Sequence, residues 1–140
     1  MQVFIIGTPY ETATLLDNRR LRKQILECRQ ILNALNGISK AWQNHPCTLQ
    51  YKDHKTWLEL YLKTLELFVQ GDCSAELCSQ RAYFFKPDFH TDDYLDQMKR
   101  RLYTKNNQFY GQWKYLGESD ENWYFVDGVW RKYINGKRIM

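Results

Sequence analysis

The residues able to do chemistry in this chain fall into two sets, three basic segments and a scatter of cysteines with one nearby histidine. Residues 19–29 carry five Lys or Arg and one acid, Glu27; residues 98–105 carry four bases and no acid; Arg131, Lys132, Lys137 and Arg138 lie near the end. Brought together on one face, such segments would hold a phosphate backbone; dispersed, they are solvated helix flanks. The acids collect elsewhere, notably at Asp88–Asp96 and Glu118–Glu121. His45-x-Cys47 followed by Cys73-x4-Cys78 is the nearest approach to a metal-ligand set, but it lacks the Cys-x2-Cys spacing of structural zinc sites. With no secretory signal pointing to an oxidising compartment, Cys28, Cys47, Cys73 and Cys78 are expected as free thiols, and no metal or other cofactor is expected.

These groups must be positioned by secondary structure, and most of it is helical. Val3-Phe4-Ile5-Ile6 reads as a short extended segment, and Thr8-Pro9-Tyr10-Glu11 fits a capping box with proline at the first helical position. From Asn18 to Asn36 the apolar residues Leu21, Ile25, Cys28, Leu32 and Leu35 recur at helical spacing, with Asn36-Gly37 as the stop. Arg20, Lys23, Gln24, Glu27 and Gln30 then form the polar side of that helix, with Glu27 one turn from Lys23 and two from Arg20, the spacing of a surface ion pair. After the loop Trp42-Gln43-Asn44-His45-Pro46, the pattern predicts one long helix from about Gln50 to Gln70, apolar nearly all round and therefore central. Gly71-Asp72 ends it, Ser74 to Tyr83 reads as a short helix, and Thr91 caps a further one through Tyr94, Leu95, Met98 and Leu102. The tail changes character: nine of the 22 aromatics lie between Phe109 and Tyr133. There Asp127-Gly128 between two apolar runs predicts a hairpin, and Asn135-Gly136 a second turn.

A chain of 140 residues with 44% hydrophobic and 26% charged is too apolar to be disordered. At this size a single core buries roughly two-thirds of the unfolded surface and needs no staple. The expected organisation is a helical domain over residues 1–116 with a β-hairpin extension over 117–140 packed on it. The apolar run at Val3–Ile6 is far too short to span a membrane, so a soluble cytoplasmic protein with no membrane association is expected. A net charge of +4 and a pI near 8.8 permit nucleic-acid binding without requiring it.

Leu16-Asp-Asn-Arg-Arg-Leu-Arg-Lys-Gln-Ile-Leu-Glu27, Ala41-Trp-Gln-Asn-His-Pro46 and the long helix after them resemble the pyrimidine-dimer DNA glycosylases, the family typified by phage endonuclease V. The likeness is clearest over residues 1 to 70, weaker over 87 to 113, and absent from the last 27. It implies a mainly α, compact helical fold, here with a small C-terminal antiparallel hairpin or meander. It also implies a glycosylase with abasic-site lyase activity on double-stranded DNA carrying a damaged or modified base. In that chemistry an N-terminal α-amine attacks the sugar C1′, the base departs, and β-elimination from the resulting imine cuts the strand. Glu27 corresponds to the assisting glutamate; an acid beside a developing cation can stabilise it or move protons.

Two amines are candidates for the nucleophile. Bulky Gln2 disfavours removal of the initiator methionine, so the α-amine is that of Met1 itself, whereas active family members expose a small residue. Lys23, one turn from Glu27, is the alternative. Arg19, Arg20 and Arg22 correspond to the family's phosphate and lesion-strand contacts, while Gln30 departs from an expected arginine. Asn44 and His45 follow as DNA contacts, with an N-terminal helix cap as the other reading of His45. Tyr110 and Trp113, in Tyr110-Gly-Gln-Trp113, correspond to an aromatic segment that could lie on bases or pack in a core. Two other functions remain open: a non-catalytic nucleic-acid-binding module, and an adaptor using Trp123, Phe125 and Trp130 as anchors for a protein partner. In a DNA-acting enzyme the cytoplasmic location would be nucleoid-associated.

Overall fold

Thr8 opens the first helix: its hydroxyl accepts from the Glu11 N–H at 3.1 Å, and the Glu11 carboxylate accepts from the Thr8 N–H at 3.2 Å. This reciprocal exchange satisfies two donors that a helix start leaves over, and Pro9 supplies a preset φ. A computed structural model describes all residues, Met1–Met140, as two compact units, Met1–Pro87 and Asp88–Met140.

In the first unit α1 (Pro9–Leu15) leads to α2 (Asn18–Leu35), capped by Asp17 and ended at Asn36 before Gly37, whose φ of 71° suits a residue without Cβ. The long helix expected from about Gln50 begins later, and a short helix precedes it where a loop is expected. α3 (Pro46–Gln50) is a single short helix, and α4 (Lys55–Val69) starts only after a turn at Tyr51–His54. The break is local: Pro46 with a side-chain cap from His45 begins one helix, and His54, at φ −129° and ψ 31°, is not helical. α4 is central, packing against α1, α2 and α5 (Ala75–Ala82), and it buries Trp57, Leu58, Tyr61 and Leu65. A 3₁₀ turn, Tyr83–Phe85, follows α5.

The segment preceding α1 joins no sheet, yet Val3, Phe4, Ile5 and Ile6 are at most 4% exposed. Full burial of such side chains stabilises by about 1.5–3 kcal/mol each. The backbone buried with them must find hydrogen-bond partners on the surrounding helices, and this requirement shapes the site described below.

The second unit is built on α6 (Asp92–Lys105), capped by Thr91 as the sequence predicts, and carries a 3₁₀ turn at Gly111–Leu116. β1 (Glu121–Val126), β2 (Val129–Ile134) and β3 (Lys137–Arg138) form an antiparallel meander in the order β1-β2-β3. Asp127 and Gly128 turn it at φ 52° and 77°, the pair of positive values that a two-residue hairpin of this twist needs; Asn135 and Gly136 repeat the device at 52° and 78°. Tyr124 and Val126 face inward and are buried, while Phe125 pairs with Trp130 and Trp123 with Lys132 on the other face. The fold is mainly α with a small C-terminal antiparallel sheet, as expected.

Candidate active site at the chain start

The polar side of α2 is only partly a solvent face. Gln24 is 1% exposed and Glu27 8%, because the buried N-terminal segment lies across them and its peptide groups require partners. The Gln2 N–H donates to Glu27 Oε2 at 2.9 Å, and the Gln2 carbonyl accepts from Gln24 Nε2 at 2.8 Å. The Phe4 N–H donates to Gln24 Oε1, while the Phe4 carbonyl accepts from the Tyr61 hydroxyl at 2.8 Å; that hydroxyl also lies 3.0 Å from Gln24 Oε1. Further along, the Val3 N–H donates to the Cys47 sulfur, and the Ile6 N–H to Thr12 Oγ1 at 3.2 Å. Side chains from α1, α2, α3 and α4 therefore do for residues 2–6 what a neighbouring strand does in a sheet.

This anchoring delivers the α-amine of Met1 one residue from the Glu27 carboxylate. Burial first, and then the charge of that amine, lower the His45 imidazole from its usual value to about 4. His45 Nδ1 accepts the Cys47 N–H at 3.1 Å, which caps α3 and puts the ring proton on Nε2. Burial, the largest effect, pushes the Cys47 thiol up to about 12, with the amine and the Val3 N–H pulling the other way; burial also holds Cys28 well above the thiol range. These sulfurs are thiols at neutral pH rather than nucleophiles. All four cysteines are free, and no group of His, Cys, Asp or Glu is arranged to hold a metal ion.

The structure thus gathers Met1, Glu27 and His45 around one point, with Lys23 at its rim. Lys23 Nζ is 4.0 Å from Glu27 Oε1, and 55% of its side chain is in solvent. Glu27 consequently faces the chain start with one oxygen and Lys23 with the other. Arg20 lays its guanidinium over the Phe4 ring, 5.3 Å from the centroid, so it also braces the buried segment. Arg19 and Arg22 are exposed on α2, with Arg22 3.5 Å from Asn18 Oδ1, and Asn44 is exposed in the loop before His45.

Tyr110 and Trp113 are not part of this cluster. They belong to the second unit, at 1% and 6% exposure, stacked on each other with centroids 5.4 Å apart. Their rings offer no open face to a nucleic acid in this conformation. The second basic segment is also largely engaged within its own unit: Arg100 Nε donates to the Leu116 carbonyl, and Arg101 to Asn122 and to the Ser119 carbonyl. A cleft of about 500 Å³ between α6 and the hairpin lies in the second unit as well, and its lining includes no residue of the amine cluster.

Gln24 and Tyr61 hold the site together but are not singled out by sequence reasoning, and Cys47 is noticed there only as a possible metal ligand. A signal for Gln24 exists. It stands three residues after Leu21 and four before Cys28, inside the apolar stripe of α2, where a polar side chain must find buried partners. Tyr61 reads simply as a core residue and is one; Cys47, expected as a free thiol, is free and buried.

Fold and site together define a mainly α protein whose own N-terminus is drawn in beside a buried carboxylate on a basic helix. Residues 1–66, which include every member of the amine cluster, match the family model described as pyrimidine dimer DNA glycosylase. The match covers a little under half of the 140 residues, and over that segment the chain is similar to the pyrimidine dimer DNA glycosylases. No curated protein and no solved structure matches it.

Proposed function

We propose that the protein is a DNA glycosylase with abasic-site lyase activity, acting on a damaged or modified base in duplex DNA. The observation that carries this reading is the 2.9 Å hydrogen bond from the Gln2 N–H to Glu27, which sets a carboxylate one residue from the α-amine in a segment that matches a glycosylase family. In the reaction the neutral Met1 amine attacks C1′ and the bond to the base breaks, the base leaving with the electron pair and a proton. Loss of the amine proton and opening of the ring give the imine. Removal of the C2′ proton then expels the 3′ phosphate, and water releases the amine. Glu27 stabilises the cationic imine and carries protons to and from the sugar. His45, neutral beside the amine, adds no second positive charge that would disfavour the imine. Arg19, Arg20 and Arg22 contact phosphates, and so does Asn44, exposed in the loop before His45.

Borohydride reduction of the imine on abasic duplex DNA tests this directly. The wild-type protein should be trapped, with the adduct mapping to Met1 and intact mass showing an unblocked methionine. Residues added ahead of Met1 should abolish trapping. An adduct that survives the extension transfers the reaction to Lys23. Glu27→Gln should lower turnover at least about a hundredfold while DNA affinity holds or rises with loss of a negative charge. A protein that binds duplex DNA tightly but is never trapped is a binding module, and the glycosylase reading fails.

A further inference from the structure

Trp42 has a backbone conformation and a degree of exposure that its fold does not explain. It sits in the α2–α3 loop at φ 68°, in the left-handed region that bulky residues avoid, and 46% of it is in solvent. A residue that only turned the chain would be glycine or asparagine, and one that only filled the core would be covered. Strain of this kind persists where the surrounding structure holds it, commonly at sites that bind or react. The indole packs edge-to-face against His45, with centroids 5.7 Å apart and planes 73° apart. His45 is bound through Cys47 to the segment that carries the α-amine. The exposed ring therefore stands one ring beyond the imidazole, in a loop where Gln43 and Asn44 are exposed as well.

We propose that Trp42 stacks on the nucleobase next to the attacked sugar, filling the helical stack while the amine reaches C1′. The proposal deepens the glycosylase reading and rests on it. An amine at the chain start cannot reach C1′ in a stacked duplex unless the bases around that sugar separate, and an aromatic face beside His45 offsets the stacking that is lost. Base–aromatic stacking tolerates any sequence, so Trp42 sets the preference for a duplex with a disturbed stack rather than for a particular base.

The test uses the full chain with Trp42→Gly, Trp42→Phe and wild type. Glycine suits the positive φ, so Trp42→Gly removes the ring and leaves the loop path intact. Two readouts are needed: 2-aminopurine fluorescence in a duplex with the probe beside an abasic site, and borohydride trapping on the same lesion in duplex and in single-stranded DNA. Wild type should quench the probe. Trp42→Gly should lose the quenching and bind and trap the duplex about ten- to a hundredfold less well, the range of one lost base–aromatic stack. Its trapping on single-stranded abasic DNA, which has no stack to open, should fall less than about threefold, and Trp42→Phe should recover most of the duplex trapping. Duplex binding and trapping by Trp42→Gly equal to wild type overturns the proposal. An equal loss on single and double strands also overturns it, because the ring then serves only to hold His45. A wild-type protein that quenches the probe yet is never trapped instead overturns the glycosylase reading, leaving Trp42 as a DNA-stacking residue.

Discussion

Replacing Gln24 by Leu separates the anchoring of the chain start from the chemistry performed there. The side chain is 1% exposed, its amide donates to the Gln2 carbonyl at 2.8 Å, and its oxygen accepts from the Phe4 N–H and lies 3.0 Å from the Tyr61 hydroxyl. Leucine has nearly the same volume, so no large cavity opens. What changes is that two backbone groups of the buried segment lose their partners, at about 1–3 kcal/mol each, while the Tyr61 hydroxyl keeps the Phe4 carbonyl. Against a loss of about 2–6 kcal/mol, the more apolar side chain restores roughly 1–2 kcal/mol. A net destabilisation of about 1–4 kcal/mol is expected in urea unfolding, with the slope little changed. The second consequence is positional. An amine displaced by about 1 Å loses on the order of a hundredfold in rate, so trapping on abasic DNA should fall by that much in Gln24→Leu at urea-free, low temperature, where the variant is still folded. Tyr61→Phe, which removes only the hydroxyl, should cost less in both measurements. The reasoning is refuted if Gln24→Leu is within about 0.5 kcal/mol of wild type, or if it is destabilised as expected but traps DNA at the wild-type rate.

Three further outcomes follow from the geometry. DNA binding should weaken with salt at a log–log slope of about −4 to −6, for four to six neutralised phosphates, and alanine at Arg19, Arg20 or Arg22 should flatten it by about one unit each; a slope near zero removes every nucleic-acid reading. The His45 imidazole, lowered to about 4 in the fold against 6.5 unfolded, is protonated first in the unfolded chain, so its contribution is present above about pH 6.5 and lost as the pH falls to 4. That displacement corresponds to about 3 kcal/mol, and because the ring is half in water roughly half should survive screening; His45→Asn keeps a capping side chain without titrating and should flatten the stability profile between pH 4 and 6.5 by about 1.5 kcal/mol, while an unchanged profile contradicts the assignment. Truncation after Leu116 removes buried Tyr124 and Val126 and takes Ser119 and Glu121 away from the Gln97 amide, so the second unit should lose its cooperative unfolding transition. A shortened chain that unfolds as sharply as the full one would make the hairpin an appendage with no structural role.

Local chemistry determined much of this protein. The capping box at Thr8, the α2 stripe from Leu21 to Leu35, the Thr91 cap and both Gly-containing turns of the meander are set by residues a few positions apart, and the sequence alone displays them. So is the placement of Glu27 one turn from Lys23. Where local signals compete, the sequence says less: His45 and Pro46 can start a helix and residues 50–70 can continue one, and only packing shows that the chain turns at Tyr51–His54 between the two. The character of the site was decided by tertiary structure. On a helical wheel Glu27 lies on the polar face toward water and Gln24 borders the apolar stripe. In the fold they are buried, because an apolar segment distant in sequence lies on them and brings unpaired N–H and C=O groups that only side chains can satisfy. Periodicity describes an element's own faces; it carries no record of which backbone will later need a hydrogen bond from them.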